Sequence, residues 1–171
     1  MITGSTAEDG VKLEGSYRKI SEYYTERMAL NLNAMKELKE FTNFTQLRFY
    51  CSKPGVRTLN LVTALNSTGE AVVQYFSGQT NVQPDACGSF IRLDDDNSKL
   101  AQSCHRWGKG NNDIFYVGKW GRGRSQTRLI DFPIFEYSAL RWSLYHHSGK
   151  FDCDDKGGAA IPGSFWQVFV R

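Results

Sequence analysis

The chain predicts a mainly β protein, an antiparallel β-sandwich or jelly-roll-like head preceded by an N-terminal amphipathic α-helix. Three observations lead there. Beyond Phe41 the apolar residues fall in short β-rich segments; Gly-rich and polar turns separate those segments; and no long helix alternates with them, which argues against a parallel α/β sheet. Before Phe41 the apolar spacing is instead three or four, the period of a helix face.

Residues 1–15 read as a linker segment. The opening Met1-Ile-Thr-Gly-Ser-Thr lacks the apolar stretch of a secretion signal, so the chain is expected to be a piece of something longer whose signal, and any anchor, lie outside it. Residues 16–41 read as the helix. Gly15-Ser16 offers an N-cap, Tyr17 to Glu40 contains neither Gly nor Pro, and Tyr17, Ile20, Tyr24, Met28, Leu32, Met35 and Leu38 form one stripe. In a heptad reading Tyr17, Tyr24, Asn31 and Leu38 share one seam position, while Ser21, Met28 and Met35 share the other. The stripe therefore either packs on its own domain or gathers copies of the chain into a homo-oligomer.

Residues 42–171 read as a disulfide-braced recognition domain. Its expected strands are Phe44–Tyr50, Thr58–Leu65, Ala71–Phe76 after an Asn66-Ser-Thr-Gly69 turn, Ile114–Val117, Arg128–Phe132, Ala139–Tyr145 and Phe165–Val170. The last is too apolar for a frayed tail and is expected inside a sheet. Of the 171 residues, this part is long enough to bury a core of its own.

The four cysteines occupy polar surroundings, as in Asp152-Cys153-Asp154 and Ser103-Cys104-His105, and show no metal-ligand spacing. Paired disulfides follow, and with them an extracellular setting. Of the three possible connectivities, Cys51 to Cys87 with Cys104 to Cys153 gives sequential loops. Two sequons, at Asn43 and Asn66, agree with secretion but are near the number that chance supplies. The net charge of +3 is too small to imply nucleic acid, and no apolar run is long enough for membrane insertion.

Local clusters carry the functional expectations. Arg122, Arg124 and Arg128, following Trp120, are the densest basic patch, and guanidinium groups beside an aromatic ring suit sulfated glycans or an acidic protein surface. Trp107 and Trp120 each precede a glycine and are candidate ligand contacts. Asp94, Asp95 and Asp96 with Asp154 and Asp155 supply oxygens of the kind calcium takes, without EF-hand spacing. The adjacent His146 and His147 point to opposite faces of a strand, and His105 has no partner spacing for zinc. No nucleophile elbow, phosphate loop, metalloprotease helix or dinucleotide fingerprint occurs, so the chain reads as a non-enzyme without catalytic residues; a hydrolase triad assembled only in three dimensions is the remaining catalytic alternative.

This layout, a helical segment ahead of a disulfide-braced β-rich head, resembles extracellular recognition heads such as lectin-like modules and the non-collagenous trimer domains of matrix proteins. The likeness is one of arrangement, and no functional residue carries over from it. It implies recognition or adhesion through loops, with homo-oligomerisation as the alternative.

Overall fold

The computed structural model describes residues 2–3, 10–23, 27–108, 116–137, 139–157 and 161–171. Strand (30%) outweighs helix (23%), and the mainly β, antiparallel class stands. The largest sheet has five strands in the order β1-β10-β4-β5-β6, with β1 at Ile2–Thr3, β4 at Leu47–Ser52, β5 at Thr58–Thr63, β6 at Phe90–Arg92 and β10 at Phe165–Val170. A second sheet joins β7 (Ile134–Glu136), β8 (Leu140–Tyr145) and β9 (Lys150–Asp155), and a parallel pair joins β2 (Lys12–Glu14) to β3 (Met28–Leu30).

Alternation along β4 sets the inner face of the large sheet. Leu47, Phe49 and Cys51 are buried, whereas Arg48, Tyr50 and Ser52 are only partly so. Phe49 is the hub of the core: its ring lies 5.4 Å from Phe76, 5.0 Å from Trp120 and 5.1 Å from Trp142. Those three partners come from a helix, a loop and β8, so the layer facing the large sheet is mixed rather than a continuous second sheet. Aromatic rings at such spacings prefer edge-to-face contact, and two of the three are T-shaped.

The N-terminal helix is corrected. Tyr17–Glu22 form a 3-10 helix, Met28–Leu30 form β3, and only Leu32–Thr42 form an α-helix, α1. Tyr24 lies outside the described residues. The reason sits in Asn31: its side chain accepts the Ala34 N–H at 3.0 Å and so starts a helix in the middle of the apolar stripe. Upstream, β3 finds a parallel partner in β2, which a solvent-facing helix turn could not match. Met28, Met35 and Leu38 are buried within the chain, so that part of the stripe packs on its own domain.

A second correction concerns Ala71–Phe76, expected as a strand. It belongs to α2, Ser67–Phe76, because Asn66 accepts the Gly69 N–H at 2.9 Å and Glu70 places a negative charge in the first turn. Arg128–Phe132 is a series of turns rather than a strand, although Leu129 and Ile130 are buried. Of Ile114–Val117, the first two residues lie outside the described residues, and Val117 stands exposed in a turn.

Both disulfides form, with a different pairing from the sequential one. Cys51 of β4 bonds Cys153 of β9, and Cys87 bonds Cys104; no cysteine is free. The first bridge is fully buried and ties the large sheet to the small one. The sequence offered three connectivities with sequential loops as the choice, but alternation turns Cys51 and Cys153 inward toward each other, and that decides the partner. Among the described residues no helix is long and apolar enough to cross a membrane.

Candidate binding site

The loop between residues 116 and 133 carries most of the residues expected to meet a ligand, and the structure divides them into anchors and displayed groups. Trp120 is an anchor. It is fully buried, its Nε1 donates to the Ser89 hydroxyl at 2.7 Å, and its carbonyl accepts from Gln83 Nε2 at 2.9 Å. Trp107 is likewise buried, donating to the Leu100 carbonyl at 2.7 Å and stacking on Phe90. Neither tryptophan can contact a ligand, because an indole with its N–H satisfied inside the core has no exposed face left.

Arg128 is the second anchor and the third correction. Its guanidinium is buried and donates to the carbonyls of Tyr75 (3.1 Å), Thr80 (3.0 Å) and Ser125 (3.2 Å) and to Asn81 Oδ1 (2.6 Å). Burial pulls it below the ordinary arginine value, and the nearby Tyr75 hydroxyl opposes that shift. The planar fork lets one side chain satisfy several carbonyls at once, a task lysine could not match. Tyr75 in turn donates to the Gly123 carbonyl at 2.5 Å and is pushed up chiefly by burial.

Gly121 completes the clamp. Its φ is +74°, and an added Cβ would lie 2.5 Å from the Tyr75 hydroxyl oxygen. Only glycine fits there. Held at Trp120, Gly121 and Arg128, the loop displays Arg122 and Arg124 to solvent. Among the described residues neither is paired with a carboxylate. Arg122 lies 5.3 Å from the centre of the half-buried Phe132 ring, and Arg141 of β8 lies 5.0 Å from the same ring. Phe132 has φ +52°, a strained conformation for a bulky residue, worth about 1 to 3 kcal/mol. Arg141 also donates to the Tyr145 hydroxyl at 3.1 Å, and Tyr145 donates to Asp152 at 2.6 Å. Burial, then that bond to Asp152, raises Tyr145. The arrangement sets the guanidiniums of Arg122 and Arg141 about one aromatic ring, with Arg141 also 4.0 Å from the Asp152 carboxylate.

The acidic clusters serve the fold. Asp96 is buried and accepts from the Asn60 N–H (2.7 Å), Arg92 Nε (2.9 Å) and the Ser98 hydroxyl (3.1 Å). Asp154, also buried, accepts the Lys99 and Leu100 N–H groups at 2.9 Å each and pairs with Arg57. Asp155 accepts Lys53 Nζ at 2.9 Å. Asp94 and Asp95 are exposed, with Asp95 accepting from Asn60 Nδ2. Oxygens that calcium would need are occupied by donors, and among the described residues no group of three His, Cys, Asp or Glu could hold a metal ion.

His105 is exposed; His146 and His147 do not splay to opposite faces, and their rings lie 3.9 Å apart in the turn after β8. Both sequon asparagines are exposed. Asn43 ends α1 in the left-handed region at φ +52°, and Asn66 uses its oxygen as the α2 cap.

The sequence missed Phe132 and Arg141. The Arg-Trp pair in Arg141-Trp142 was legible as a strand, but nothing in the spacing told that a turn 9 residues earlier would place Phe132 under it. In comparisons with family models, with curated proteins and with solved structures, none matches this chain.

Proposed function

We propose that this chain is an extracellular, non-enzymatic recognition module that binds an anionic ligand, a sulfated glycan in the first instance, through Arg122 and Arg124. The observation that carries the reading is the contrast within one loop. Buried Trp120 and Arg128 fix it from below, while two guanidiniums without carboxylate partners among the described residues face water, Arg122 beside a half-exposed phenyl ring. Preorganisation of this kind removes the ordering cost that a flexible arginine loop would pay on binding. The extracellular setting is supported by four cysteines in two bridges, which persist where thiols are not kept reduced.

Retention on immobilised heparin at graded salt is the test. Arg122→Ala with Arg124→Ala should elute at clearly lower salt than the unaltered protein, since each displayed cation contributes about 1 kcal/mol or less against screening. Arg128→Leu belongs in a different class and acts through stability. Equal retention of the double variant would reduce the loop to ordinary surface and remove this reading.

A further inference from the structure

The two bridges differ in what covers them. Cys51 and Cys153 are fully buried, whereas Cys87 is exposed and Cys104 lies partly covered against the core. Exposed disulfides are the ones that reductants open, while buried structural ones resist them. A thiolate arriving from solvent therefore meets the outer bridge first, on its Cys87 side.

This outer bridge joins the two supports of the arginine loop. Before Cys87, Gln83 Nε2 donates to the carbonyls of Trp120 (2.9 Å) and Gly121 (2.7 Å), the Pro84 carbonyl accepts the Trp120 N–H (3.0 Å), Asp85 pairs with Lys119 (2.6 Å), and the Ala86 N–H donates to the Gly118 carbonyl (2.8 Å). After it, the Ser89 hydroxyl accepts Trp120 Nε1 at 2.7 Å. Cys104 opens the 3-10 turn Cys104–Arg106, which leads to Trp107. The Trp107 carbonyl accepts the Gly118 N–H at 2.6 Å, and its ring lies 4.9 Å from that of Trp120. Both ends of the bridge thus bear on residues 118–121, where the loop is rooted.

We propose that the Cys87 to Cys104 bridge is a redox clasp on the arginine loop, opened by a dithiol reductant while the Cys51 to Cys153 bridge stays closed. One reductant thiolate bonds the Cys87 sulfur as the bond to Cys104 breaks, and Cys104 leaves as a thiolate. The second reductant thiol then displaces Cys87, so the dithiol is oxidised to a cyclic disulfide and its two protons end on the protein thiols. With the clasp open, residues 83–89 and the turn at Cys104 are no longer tied across a span of 17 positions, and the hydrogen bonds at 118–121 open more often. Only the further consequence, weaker anion binding by Arg122 and Arg124, rests on the recognition function proposed above.

The test treats the unaltered protein with graded dithiothreitol at about pH 8, where the reductant is partly thiolate. Free thiols are then blocked with iodoacetamide and located by peptide mass analysis. Cys87 and Cys104 should be labelled at reductant levels about tenfold or more below those that label Cys51 and Cys153. At the level that opens the outer bridge alone, amide hydrogen exchange at Ala86, Gly118 and Trp120 should quicken about tenfold or more, with β4 and β10 unchanged. Cys87→Ser with Cys104→Ser should show the same faster exchange without reductant. The proposal is overturned if the bridges open together or the buried one opens first. It is equally overturned if exchange at Gly118 and Trp120 stays at the oxidised rate in the reduced protein or in the double variant, or if β4 and β10 loosen to the same extent. None of these readouts involves heparin, so a failure of glycan binding leaves them standing.

Discussion

Removing each disulfide in turn should separate their contributions by loop length. Cys51 and Cys153 are 102 positions apart, Cys87 and Cys104 only 17. In the chain-entropy description a bridge stabilises by restricting the unfolded chain, about 4.7 kcal/mol for a loop near 100 residues and about 3 kcal/mol for one near 15. For a chain of this size a kcal/mol moves the melting temperature by about 2 to 4 °C. Cys51→Ala with Cys153→Ala should therefore lower Tm by about 9 to 19 °C, and Cys87→Ala with Cys104→Ala by about 6 to 12 °C. Burial widens the gap, because the first pair also leaves two sulfur-sized voids in the core, whereas Cys87 is exposed. Circular dichroism melts of both double variants, without reductant and at one pH, give the comparison. If the Cys87/Cys104 variant melted at or below the temperature of the Cys51/Cys153 variant, the reasoning from loop length and burial would fail.

Arg128→Leu should destabilise by about 3 kcal/mol, since it strands the Tyr75 and Thr80 carbonyls, and denaturant unfolding would show it; a loss under about 1 kcal/mol would contradict the anchor role. Gly121→Ala should cost more than Gly55→Ala, because both have left-handed φ but only Gly121 meets Tyr75; equal melting temperatures would refute the clash. His146 is held below the ordinary histidine value by burial first and by the charge of His147 second, with Asp131 opposing. As pH falls below about 6.5 the unfolded state takes up this proton before the folded state does, so stability is full above that pH and declines beneath it. His146→Gln should flatten that part of the Tm profile, and an unaltered profile would remove His146 as its source.

Strands were the legible part of this fold wherever their pattern was uninterrupted. Phe165–Val170 coincides with its expected segment, and the bounds of Leu47–Ser52, Thr58–Thr63 and Leu140–Tyr145 lie within three residues of segments expected from alternation and β-rich composition. Helices were misread at their starts. Asn31 and Asn66 each cap a helix, yet one had been placed in a coiled-coil seam and the other in a hairpin turn; the cap signal is a single residue, and the Val72-Val73 pair outweighed it. The site was half legible. Charge and glycine marked Arg122 and Arg124 as a loop, but burial is decided by neighbours far away in the chain. Trp107, Trp120 and Arg128 could not be told from surface residues until Phe49, Phe90 and Tyr75 were seen to cover them.

Strand β10 sits between β1 and β4, with Trp166 opposite Cys51, 115 positions apart. During synthesis the edge of β4 therefore waits, with its N–H and C=O groups on that side unmatched, until residues 165–170 have emerged. Nascent chains stalled before residue 165 would present a sticky strand edge, the kind of surface that recruits a chaperone or templates aggregation. Such a layout ties yield to how quickly residues 165–170 arrive, and slow, non-local closure of this sort belongs to the millisecond-to-second range.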